Sequence, residues 1–452
     1  MPQVVEREVD LGKQVDVSHT KAPYRSLLGL PFQEQRDRVR KLGSDRMTFV
    51  VRNLPDSYLP PAILGEPDDD SFRDTSWTRD IEETIAPAVD PYVRRYFPEL
   101  TEVLDAFYLK YQRRLLQRYA WENEWWRFDQ RPQQVRDSNV MMVHDDLAPT
   151  TKAMVDGRRV EDWSHNQLDA LARVLSVSAD GIKQGIPLLA QTPDDIRPTG
   201  EVLLKMAFYT SNQIGPNNAT HGIWENKHCL IPGSTKAALN QGHINTFKIH
   251  RLLQQDSQQR NYPLHITTPE LAEATYQGVR EQNSEFPYEW TTPYGHPQPA
   301  DLSQLKTCVD VKLPSSYIEI ILKQTESLEG ELGYIRFEGD TWRKEREHAY
   351  WAIGLLYRIY TEGQLATMWF NHGNKEQAQS YLTHSLLMYD RTAKMIHEYG
   401  KLPELHYQDP EDDFKFKPNK NDLAWGEMMV GRASAVMVGA LQAAEQSSLI
   451  AA

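Results

Sequence analysis

Five short clusters join an aromatic residue to charged or hydrogen-bonding side chains: Trp77-Thr78-Arg79-Asp80, Trp163-Ser164-His165-Asn166-Gln167-Leu168-Asp169, Trp224-Glu225, Arg336-Phe337-Glu338-Gly339-Asp340 and Trp425-Gly426-Glu427. Each falls before or at the start of a stretch with helical periodicity. An arginine and an aspartate side by side, as in Arg79-Asp80, suit gripping adjacent hydroxyl groups, and aromatic faces suit stacking on a sugar ring. The carboxylates define the bond-breaking chemistry on offer. Inverting cleavage of a glycosidic bond takes one protonated carboxyl to donate to the leaving oxygen. It also takes one ionised carboxylate to activate water on the opposite face, with the two about 6.5–9.5 Å apart. Trp224 gives Glu225 the apolar contact that raises a carboxyl pKa. Glu427, at the head of a helix, is kept ionised by the positive end of the dipole.

Every one of these residues also has a purely structural reading. Glu225 fits a first-turn helix residue, Arg79 and Asp80 a local ion pair, and Gln167 one half of a capping box with Ser164. Spacing alone does not choose between the two. Position does more: if helices pair up in a ring, the loops entering the inner helices open on one face, and clusters spread over some 350 residues converge there.

The elements that must carry them are helical. Ile81, Ile85 and Val89 share one face, after Thr78 in a capping position. Phe107, Leu109, Tyr111, Leu115 and Leu116 suggest a second helix; Leu168, Leu171 and Leu175 follow the Ser164/Gln167 box. Further helical stretches run near 200–212, 234–254, 269–282, 315–328, 345–361, 374–398 and 426–445. The last one, with Met428, Met429, Val430, Ala433, Val436, Met437, Ala440 and Leu441, is apolar nearly all round and belongs inside the molecule. No βαβ alternation or regular strand spacing is visible. The expected class is all-α, with residues 1–45 an irregular N-terminal arm and 46–452 a single domain.

The 452 residues carry a net charge of −13, which argues against a nucleic-acid backbone as partner. With 11 Trp and 21 Tyr, the chain is rich in rings that serve either sugar stacking or gap-filling between helices. Two cysteines, Cys229 and Cys308, make neither a disulfide framework nor a cysteine zinc cluster. The first residues lack an apolar signal core and no stretch reaches the length of a membrane span, so cytoplasmic is the expected location. Asn218-Ala219-Thr220 then matches a glycosylation acceptor by chance.

At its clusters the chain resembles glycoside hydrolase family 15, the glucoamylases and their relatives. It is more similar still to the glucoamylase-like domain of phosphorylase kinase alpha subunits, above all in Ile231-Pro232-Gly233-Ser234 and the Lys236-Ala237-Ala238-Leu239 that follows. The resemblance runs in order over residues 70–445. It implies an (α/α)6 barrel, a six-hairpin toroid, and an inverting exo-acting hydrolase that releases glucose from an α-glucan or α-linked oligosaccharide. It implies Glu225 as general acid and Glu427 as general base. Trp77, Arg79, Asp80, Trp163, Gln167, Trp224, Arg336, Glu404 of Leu402-Pro403-Glu404, and Trp425 would line the sugar site. No metal or organic cofactor is needed for this mechanism. Asn226 stands where many glucoamylases carry a second acidic residue, and the lead before residue 70 is too short for the β-sandwich domain of many bacterial members. The kinase-subunit likeness carries a second reading, a non-catalytic glucan-binding regulatory or scaffold module. Linkage and oligomeric state are not encoded in these motifs.

Overall fold

The computed structural model describes residues 23–54, 75–121, 144–146, 154–155, 158–159, 168–213, 233–285, 290–291, 297–298, 300–340, 348–409, 412–419 and 423–449. Among them the helices are α1 (Phe32–Asn53), α2 (Thr78–Ile85), α3 (Pro91–Tyr96), α4 (Thr101–Trp121), α5 (Leu168–Lys183), α6 (Thr199–Gln213), α7 (Gly233–Arg260), α8 (Thr268–Glu285), α9 (Leu302–Asp310), α10 (Ser315–Gln324), α11 (Ile353–Asn371), α12 (Lys375–Tyr399) and α13 (Ala424–Leu449). Contacts close a ring: α2 packs on α5, α5 on α7, α7 on α9, α9 on α11, α11 on α13, and α13 back on α2. The helices between them in sequence, α4, α6, α8, α10 and α12, lie outside, and α1 lies against α13. Six inner and six outer helices, with the short α3 as an extra turn, make an (α/α)6 barrel.

Burial follows this division. In α13 the apolar run from Met428 to Leu441 is buried on all sides, as its lack of a polar face predicts. The inner helix α11 is buried without a break from Ile353 to Gly363. On the outer α12 burial is confined to a stripe through Ala378, Leu382, Ser385, Tyr389, Thr392 and Ile396. That helix ends on Gly400, whose φ of 75° is the left-handed conformation that closes a helix without a Cβ penalty.

The strands are short. β1 (Thr75–Trp77) pairs with β2 (His144–Asp146), β3 (Met154–Val155) with β4 (Arg158–Arg159), and β5 (Trp290–Thr291) with β6 (Pro297–Gln298). One antiparallel sheet has the order β11-β10-β9-β8-β7, from β7 (Glu329–Gly330), β8 (Gly333–Tyr334), β9 (Tyr350–Trp351), β10 (Leu405–Asp409) and β11 (Asp412–Pro418).

Three local expectations need correction. The irregular arm to residue 45 does not hold over its last part: α1 is a 22-residue helix, and a domain boundary at 45 would cut it. Its stripe of Val39, Gly43, Met47 and Val50 is buried against α13. Gly43 allows that approach, since a Cβ there would meet Ser434 Oγ at 2.7 Å. Thr78 does not cap α2; Trp77 holds the cap position without a side-chain bond, and Thr78 Oγ1 instead pairs with Tyr119 Oη at 2.7 Å. The stretch read as helix from 345 begins only at Ile353, because Tyr350 and Trp351 join the sheet.

Candidate functional site

The heads of all six inner helices are tied together at one end of the barrel. Arg79 at the start of α2 reaches Asp169 at the start of α5, Nη1 to Oδ2 3.9 Å, with both side chains mostly buried. The two line a small cavity of about 30 Å³ with Ser234 from the head of α7 and Ser303 from the head of α9. Leu302 N, opening α9, donates to Arg336 O at 2.7 Å, and Asp301 caps that helix by accepting from Ser303 N at 2.8 Å. Ala352 N, just before α11, donates to Glu404 O at 3.2 Å. Trp77, Leu423 and Trp425 pack together, joining the entry of α2 to that of α13. Six helix N-termini thus face one mouth, whose positive dipole ends favour ionised carboxylates.

The side chains named from the sequence fall into three groups. Trp77, Arg79, Asp80, Arg336, Glu404 and Trp425 lie at or beside the heads of these helices. Arg336 is held flat by a bidentate pair to Asp340, at 2.8 and 2.9 Å, and its guanidinium lies over the Trp351 ring at 5.2 Å. A fork fixed this way has little conformational freedom left to lose when it meets a ligand. Glu404 is half-buried. Its Oε2 accepts from Asn419 Nδ2 at 2.7 Å, while Asn419 Oδ1 accepts from Leu405 N at 3.2 Å. One asparagine therefore sets both the carboxylate and the backbone that presents it.

Glu427 forms the second group by itself. It is 0% exposed; Oε2 accepts from Arg46 Nε at 2.6 Å and Oε1 from Leu402 N at 2.7 Å. A general base needs a carboxylate oxygen turned to a water on the substrate side. Here both oxygens are held by protein donors and none of the residue meets solvent. Trp163, Gln167, Trp224 and Glu225 make up the third group and lie outside the described residues.

Beneath the mouth, the barrel axis is charged rather than apolar. Glu83 of α2 accepts from Arg173 Nε at 3.1 Å, Lys306 Nζ at 2.7 Å and Arg432 Nη1 at 3.3 Å. Asp310 meets Arg173 at 3.0 Å and also pairs with Lys306, and Asp90 meets Arg432 Nε at 2.9 Å. Burial would push the Glu83 carboxyl up, but Arg173, Lys306 and Arg432 outweigh it and hold the pKa far below the usual range. Asp169 goes the other way, raised by burial against the opposing pull of Arg79 and Lys306. Sequence reasoning missed this network. Its one visible signal was Arg432, a lone cation inside an otherwise apolar helix.

No family model matches the sequence, and a search of curated proteins finds no relative. Solved structures do match. A glycosidase superposes with a TM-score of 0.63 at 15% identity, covering 92% of this chain and all of the other. The glucoamylase of Saccharomycopsis fibuligera gives 0.60 at 10% identity over 94% of this chain and 99% of its own. A glycoside hydrolase family 15 glucoamylase from Hypocrea jecorina gives 0.58 at 11% identity, over 92% of this chain and 73% of its own. The fold of this chain is the fold of those glucoamylases.

Proposed function

We propose that this chain is a glycoside hydrolase of the glucoamylase type, removing glucose with inversion from the non-reducing end of an α-glucan or α-linked oligosaccharide. What supports the reading is that Arg79, Asp80, Arg336, Glu404 and two tryptophans all lie at or beside the heads of inner helices that share one end of the barrel. Arg79, Asp80 and Arg336 would bind the terminal sugar, with Trp77 and Trp425 walling its site. A solved glycosidase variant that superposes on this chain with a TM-score of 0.61 is in complex with glucose, which supports a sugar as the ligand.

Glu225 keeps the role of general acid in this proposal, on its motif. The base assignment moves from Glu427 to Glu404. Water activation calls for an accessible carboxylate; Glu404 is half-buried, with its backbone bonded to Ala352 at the head of α11, whereas Glu427 is sealed. Asn419 donating to Oε2 holds this carboxylate in one orientation.

A panel of maltooligosaccharides, isomaltose and trehalose tests the reading. Glucose release from at least one member, abolished in Glu404→Gln, is the expected outcome and names the linkage. Saturable binding of a glucan without release, weakened by Asp80→Asn, would replace the hydrolase with a sugar-binding regulatory module.

A further inference from the structure

We propose that Arg46 and Glu427 form a buried clip that positions Glu404, so that the N-terminal helix α1 takes part in setting the reaction geometry. This rests on the reading of Glu404 as base. Three contacts make the clip. Arg46 Nε donates to Glu427 Oε2 at 2.6 Å, Arg46 Nη1 donates to Gly400 O at 3.2 Å, and Leu402 N donates to Glu427 Oε1 at 2.7 Å. One ion pair thereby grips two backbone groups of the segment running from the end of α12 to Glu404. Arg46 is 5% exposed and Glu427 0%, and the guanidinium also lies over the Phe49 ring at 4.6 Å, so neither side chain is free to swing.

The far side of the same segment is fixed independently, by Glu404 O on Ala352 N and by Asn419 on the Glu404 carboxylate. Gly400 and Leu402 are where buried hydrogen bonds tie its near side to α1 and α13 among the described residues. With the clip gone, the near side has lost both anchors while the sugar-gripping residues Arg79, Asp80 and Arg336 keep theirs. A shift of the base by about 1 Å suffices for a large loss of rate, on the order of a hundredfold. The clip residues touch neither substrate nor reacting atoms. They act through Glu404.

The test measures kcat and KM on whichever maltooligosaccharide, maltotriose first, the wild-type protein cleaves. Arg46→Met and Glu427→Gln are expected to lower kcat ten- to hundredfold and leave KM within about threefold. Arg46→Lys keeps a cation beside Glu427 but cannot span Glu427 and Gly400 with one fork. It should remain folded and show an intermediate kcat. Arg40→Met, on the same helix and paired with Glu99 at the surface, serves as control and should match the wild type. If Arg46→Lys, folded by circular dichroism, keeps the wild-type kcat, the clip is wrong, whether or not the other variants fold. If Glu404→Gln itself keeps full activity, the base assignment is what fails, and the two failures are told apart by that single variant.

Discussion

Replacing Glu83 with Gln removes one of the three anions that balance Arg173, Lys306 and Arg432 on the barrel axis. The side chain keeps its size and one acceptor oxygen, so packing is little changed and the loss is electrostatic. At an effective dielectric near 20, a unit pair about 3 Å apart is worth roughly 5 kcal/mol, and Glu83 faces three cations at or near that distance. Desolvation of each ion offsets several kcal/mol of this. What remains is the cost of leaving a buried cation uncompensated, about 3–5 kcal/mol. Urea unfolding at pH 7, followed by circular dichroism and tryptophan fluorescence, should show the midpoint falling by that equivalent at unchanged m. The pH dependence has a definite sign. Because the folded pKa of Glu83 is depressed, its contribution is present above the unfolded carboxylate range and is lost as pH falls below it. The wild type should therefore lose more stability than Glu83→Gln on going from pH 5 to pH 3. A Glu83→Gln protein within about 1 kcal/mol of wild type at pH 7 would refute the view that this network is a tightly balanced charge cluster.

Glu82, next in the helix, should behave in the opposite sense. Burial pushes its carboxyl up to about 8, against a smaller lowering by Gln112, and among the described residues neither oxygen has a hydrogen-bond partner of good geometry. Its neutral form fits the fold, so its favourable contribution is complete below pH 4.5 and is lost as pH rises toward 8. Glu82→Gln should equal wild type near pH 4.5 and exceed it by on the order of 4 kcal/mol at pH 8–9, read from urea midpoints. A parallel pair of curves would contradict it. Gly43→Leu should force α1 off Ser434 and destabilise the protein by more than 1 kcal/mol, with early amide exchange in residues 32–53. Arg336→Lys should raise KM for the cleaved glucan at least tenfold, since a lysine can neither fork onto Asp340 nor stack on Trp351; unchanged KM would remove Arg336 from the sugar site.

How far the chain could be read in advance depended on what each feature needs. The apolar α13 and the Leu168–Leu175 helix rest on local periodicity, and both stand where periodicity puts them. Helix α1 was missed because its buried stripe passes through Gly43 and Arg46, which carry no apolar signal although both are buried. At nine residues, α9 is too short for a periodic pattern to emerge. Of the motifs running from Trp77 to Trp425, those within the described residues sit at or beside helix heads that the topology gathers at one end of the barrel. Glu427 misled for the same reason: a carboxylate at a helix head beside a tryptophan looks like a base. Nothing local reveals that Arg46, 381 positions earlier, takes one of its oxygens. Apart from Arg432, a lone cation among apolar residues, the axial network leaves no local mark in the sequence, since Glu83, Arg173, Lys306 and Arg432 come from four different helices.

The most direct test follows the anomer of the first product by proton NMR, with the wild type and Glu404→Gln incubated separately with a maltooligosaccharide. The account predicts β-glucose appearing first and mutarotating later, with the initial rate falling at least a hundredfold in Glu404→Gln. α-Glucose as the first product, or a Glu404→Gln protein that releases glucose at the wild-type rate, would contradict it.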